Sequence, residues 1–108
     1  MSVSYQFKDN SADVLRAFES AVQNGLTAIG ERAVFHARER VPVDTGALRD
    51  SIEFTVDDDG VSVGSDKEYA AAVETGTYKM AARPYLKPAM TEHNSEYEKI
   101  MENALENG

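Results

Sequence analysis

The chain is 108 residues long, which fits one domain with a modest core. Its 11 basic and 19 acidic residues leave a net charge of -8, the wrong sign for a protein built to grip a phosphate backbone. There is no cysteine, which excludes disulfides and thiolate metal sites, and the 42% hydrophobic content is too high for a disordered chain.

Residues 1–9 show neither the basic nor the apolar region of a signal peptide, and no apolar run approaches membrane-spanning length. Val3, Tyr5 and Phe7 alternate with polar residues, which predicts a short strand. Asn10 and Ser11 are N-cap types, with Asp13 in the turn that follows. From there Leu15, Phe18, Val22, Leu26, Ile29, Ala33, Ala37 and Val41 step by three or four and form one apolar face. Gly25 and Gly30 interrupt the composition but not the period, so one long helix is expected, bent or closely packed at the glycines. Pro42 ends it, because proline pushes the preceding residue out of the helical region. Arg32, His36, Arg38 and Arg40 read as the solvated face and C-terminal charges of this helix.

Burying the large side chains of that face stabilises by about 1.5–3 kcal/mol each, so something flat must cover them. The next segment supplies it. Ile52, Phe54 and Val56 alternate with Glu53, Thr55 and Asp57, and Val61 and Val63 flank Ser62. Asp57-Asp58-Asp59-Gly60 between them is a hairpin connection, giving an antiparallel hairpin over 52–63 with its apolar side towards the helix. Tyr69, Val73 and the intervening alanines read as a short helical or turn element leading to Gly76, followed by a loop over 77–83. Pro88 can serve as the first residue of a last helix, whose face is Met90, His93 or Asn94, Tyr97, Ile100 or Met101, Ala104 and Leu105. The expected fold is α+β, with a long N-terminal and a C-terminal helix on a small antiparallel sheet.

Candidate chemistry is sparse. Asp44-Thr45-Gly46 matches the loop with which homodimeric aspartic proteases pair two carboxylates. That motif follows a strand in a nearly all-β fold, whereas here it follows a long helix, so a turn is the better reading. Asp57, Asp58 and Asp59 lack the spacing of a calcium loop and read as a solvated tip. His36, expected on the helix surface, and His93, expected to be partly buried or at a boundary, are too few for a zinc site without carboxylates that the sequence does not place. Glu74 stands in an otherwise apolar element and needs Arg49, Arg83 or backbone N–H groups as partners. No catalytic residue, cofactor or metal site is expected. An acidic adaptor that binds another protein through its helices is a third possibility.

Three segments carry a resemblance: Pro42-Val43-Asp44-Thr45-Gly46-Ala47-Leu48-Arg49-Asp50-Ser51-Ile52, Tyr69-Ala70-Ala71-Ala72-Val73-Glu74-Thr75-Gly76-Thr77 and Arg83-Pro84-Tyr85-Leu86-Lys87-Pro88-Ala89. In this order they resemble the tail-completion, neck or head–tail joining proteins of long-tailed bacteriophages and prophages. Thr75 departs from the pattern, where an aromatic residue is common. The resemblance implies a non-enzymatic α+β subunit of the virion neck or tail, made in the host cytoplasm. It implies a ring at the head–tail junction that lets DNA pass, contacts with other connector and tail proteins, and either a ring or a free monomer in solution. It implies no membrane and no specific nucleic acid. The residues expected at subunit contacts or in the motif are Asp44, Thr45, Gly46, Leu48, Arg49, Ser51, Tyr69, Ala70, Glu74, Gly76, Thr77, Tyr78, Arg83, Pro84, Leu86 and Pro88.

Overall fold

The computed structural model describes residues 11–42, 46–58 and 60–107. The strand expected over residues 3–7 lies outside them, as do Asp44 and Thr45. The elements are α1 (Ser11–Arg40), α2 (Gly46–Ser51), β1 (Glu53–Asp57), β2 (Gly60–Gly64), α3 (Ala70–Thr75), α4 (Leu86–Thr91) and α5 (Asn94–Asn107). The architecture is α+β, as the apolar periods predict.

The hairpin pairs Phe54 with Val63 and Val56 with Val61, one residue displaced from the expected 52–63 bounds. Gly60 takes a φ of 141°, a value that side chains rarely adopt, and its N–H donates to Asp57 Oδ1 at 3.1 Å. The Phe54 ring lies directly over Gly30: a Cβ there would sit 2.2 Å from it. This is the close helix–strand approach that a glycine inside α1 foreshadows.

Two apolar clusters share α1. One gathers Val34, Ala37, Val41, Leu48, Ile52, Ala70, Val73, Tyr85 and Ala89 at its C-terminal end. The other joins Ile29, Ala33 and Tyr97, with Val61, Met90 and Ile100 against them. α5 runs antiparallel to α1: Glu96 meets Arg32 and His36, while Met101 and Ala104 lie by Gly25. At equal rise per residue, α5 ends about level with Ala21, the first buried residue of α1. Residues 11–20 extend past it, all exposed.

The last helix differs from expectation. Pro88 lies inside α4, and a break at Glu92 and His93 separates α4 from α5. Glu92 caps α4 by donating its N–H to Pro88 O, and Tyr97 N–H returns to His93 O. The run Thr91-Glu92-His93-Asn94-Ser95 is short of strong helix formers, so a turn there costs little.

Candidate functional site

The second and third signature segments are bolted together at one end of the molecule. α3 presents Glu74, and its Oε1 accepts the N–H groups of Tyr85 at 2.9 Å and Leu86 at 2.7 Å, while Oε2 accepts that of Lys87 at 3.1 Å. Arg83 N–H donates to Val73 O at 2.8 Å, and the buried Tyr85 hydroxyl donates to Ala70 O at 3.2 Å. Burial pushes the Glu74 carboxyl up, but the N–H groups of Leu86, Tyr85 and Lys87, with the Lys87 charge, outweigh it and hold it below its ordinary range. The partners of Glu74 are thus backbone donors. Arg49, named from the sequence as one candidate, lies instead beside Asp50.

Gly76 makes the corner possible. It closes α3 with a φ of 76°, and a Cβ on it would meet Ala82 N at 2.7 Å and Met80 O at 2.9 Å. Beyond it Thr77 and Met80 exchange backbone bonds of 2.8 and 3.2 Å, closing a tight tip around Tyr78 and Lys79. Thr77 Oγ1 also accepts the Lys79 N–H. Tyr78 is 93% exposed, with the Lys79 ammonium over its ring.

The first segment meets this corner through its apolar residues. Leu48 and Ile52 are fully enclosed with Ala70, Val73 and Tyr85. Ser51 Oγ contacts Leu48 O at 2.7 Å and Ser65 Oγ at 2.5 Å, tying α2 to the end of the hairpin. Gly46 opens α2, so the Asp-Thr-Gly connection joins two helices, not strands of a β-barrel. Of the expected residues, Leu48, Ala70, Glu74 and Gly76 are spent on the fold. Gly46, Ser51, Leu86 and Pro88 are half-buried, and Arg49, Tyr69, Thr77, Tyr78, Arg83 and Pro84 face outward.

A second polar cluster went unread in the sequence. His36 is only 7% exposed, not on the surface, and its ring stacks on His93 with centroids 3.5 Å apart and planes 5° from parallel. Its Nε2 lies 2.9 Å from Glu96 Oε2, and Arg32 binds the other carboxylate oxygen. The bonds from Arg32 and His36 hold the Glu96 carboxyl below its ordinary range. A signal was available, because His36 is three residues from the buried Ala33 and so on the inward face of α1. The ligand atoms of His36, His93 and Glu96 all lie within 4.8 Å of one another. Imidazole lone pairs lie in the ring plane, however, so parallel rings aim theirs side by side instead of at one ion. Both Glu96 oxygens are also engaged. The cluster is a clasp between α1 and α5. Two further α1 cations tie the helix to other segments: Arg40 pairs with Glu92, and Arg38 donates to Ile52 O at 3.1 Å.

A family model described as "Bacteriophage HK97-gp10, putative tail-component" matches residues 6–76, more than half of the chain. The chain belongs to this HK97-gp10-like family. No curated protein and no solved structure matches it. Membership gives the chain a structural role among phage tail components, and a location and neighbours in the virion to match. The HK97-gp10-like match stops at Gly76, yet the third segment is held to the matched part through Glu74. No described helix is long and apolar enough to cross a membrane.

Proposed function

We propose that the chain is a tail-completion subunit that forms a ring at the head-proximal end of a phage tail, where head and tail join and DNA passes. The observation that carries this is the Glu74 corner. It uses the inward residues of the second and third segments to hold the monomer and holds out a closed, exposed tip at Tyr78 and Lys79. A subunit that must fit neighbours has use for such a projection. The net charge of -8 supports an acidic lumen through which a genome slides without sticking. A ring structure whose lumen is lined by basic residues would sink that part.

The test is complementation. A phage lacking this gene should accumulate filled heads and separate tails, and the supplied protein should restore joined particles seen by electron microscopy. Joined, infectious particles without the protein would defeat the proposal. Asp44→Asn addresses the enzymatic alternative: the structural reading expects lost stability or assembly, whereas loss of a peptide-cleaving activity with the fold intact would restore the protease.

A further inference from the structure

The two ends of the molecule differ in a way that suits one another. At one end, residues 11–20 of α1 overhang α5 and leave Val14, Leu15 and Phe18 more than half exposed. Between this overhang and the hairpin tip lies an open groove of about 720 Å³, whose lining includes Phe18, Glu19, Val22, Gln23 and Asp58. Arg16 also borders it and pairs with the exposed Asp13. The groove therefore offers two apolar side chains, Phe18 and Val22, set among polar ones, with the acidic groups Glu19 and Asp58 beside them.

At the other end stands the tip of residues 77–80, an exposed aromatic ring beside a cation. From Thr77 to Thr91 the chain carries Lys79, Arg83 and Lys87 and no acidic residue, so the remainder is more acidic than the net charge indicates. The corner that bears the tip packs against residues Val34, Ala37 and Val41. Phe18 lies roughly 28 Å away along α1, at 1.5 Å per residue. Tip and groove thus belong to opposite ends and do not meet within one copy.

We infer that Tyr78 of one copy seats on Phe18 and Val22 in the groove of the next, with Lys79 facing Glu19 and Asp58. The contact rests on the ring proposed above and names its joint. It is head-to-tail, the kind that closes into a ring when the rotation allows. It also explains how a chain with a large net negative charge tolerates copies of itself: the segregated positive segment meets the negative end.

The absence of native cysteine makes the test clean. Full-length Phe18→Cys and Tyr78→Cys chains, carrying different tags, are mixed under mild oxidation at concentrations where light scattering reports self-association. The expected product is the mixed dimer, about tenfold above a Phe18→Cys with Phe35→Cys control, and lowered by about tenfold on adding Lys79→Glu. Asp58→Lys in the other chain should restore it. Phe18–Phe18 links, which signify a two-fold pair, would overturn the inference. So would a Tyr78→Cys/Phe18→Cys chain that closes on itself, or associated chains that give no mixed dimer. A chain that stays monomeric at all concentrations would overturn this contact as well. Complementation decides the tail-completion reading separately in each case.

Discussion

Glu74 and Pro88 together leave the first turn of α4 with no unmet donor. A helix start exposes four N–H groups without partners. Here the Glu74 carboxylate takes those of Tyr85, Leu86 and Lys87, and the fourth position is a proline, which has none. The cap comes from eleven residues or more up the chain, so it also fixes α3 against α4.

Removing the carboxylate should therefore be costly for a half-buried group. Glu74→Ala strands three donors and should destabilise by about 1–3 kcal/mol. Glu74→Gln, with one acceptor oxygen left, should fall between it and the wild type. Urea denaturation followed by circular dichroism ranks the three. An Ala variant as stable as the wild type would show that the corner holds without its cap.

The same carboxylate makes stability depend on acid. Its folded pKa is depressed, so its contribution is complete above the ordinary value of 4.5 and disappears as pH falls through the lower folded value. Glu96 shifts the same way through Arg32 and His36. Urea midpoints should decline below about pH 4.5, and Glu74→Gln should flatten the decline. An equally steep acid slope in that variant would place the linkage elsewhere.

What the sequence reveals of this arrangement is uneven, for physical reasons. The α1 helix and its end at Pro42 are legible because periodicity and proline act locally, but Leu15 and Phe18, expected on its covered face, are more than half exposed because α5 does not reach them. The hairpin is legible through alternation and Gly60. Glu74 is legible as a carboxylate in need of partners. That those partners are the N–H groups of residues 85–87 depends on the chain returning from a loop, which no local pattern records. The break at Glu92 and His93 is hidden for the opposite reason: weak propensities permit it but do not demand it. The clasp of His36 with His93 and Glu96 depends on the pairing of α1 with α5, so the sequence offers the inward position of His36 but not its partners 57 and 60 positions on.

The two glycines buried in α1 should respond differently to alanine. Helix propensity favours each substitution by about 1 kcal/mol. At Gly30 the new methyl would lie 2.2 to 2.7 Å from the Phe54 ring, which is wedged between helix and hairpin. Gly30→Ala should therefore be destabilising by about 1–3 kcal/mol net of that gain. At Gly25 the nearest atoms are Sδ and Cε of Met101, the free end of a flexible chain. Gly25→Ala should be nearly neutral. Thermal melts of both variants decide it, and equal melting temperatures would contradict the assigned difference.

Two tyrosines should govern the alkaline limit. Burial, with the charges of Glu74 and Tyr69, raises the Tyr85 phenol above its ordinary 10.0. Burial, with Glu96, raises that of Tyr97 against an opposing effect of Arg32. Their hydroxyls donate to Ala70 O and Ala89 O. A raised folded value leaves stability intact below the unfolded pKa and removes it as pH rises beyond, because only the unfolded chain then ionises readily. Tyr85→Phe should cost about 1 kcal/mol at neutral pH through the lost hydrogen bond. In return, Tyr85→Phe with Tyr97→Phe should lose less stability between neutral pH and about pH 11 than the wild type. Urea midpoints across that range measure it. Parallel curves for the two proteins would mean that these phenols do not set the alkaline limit.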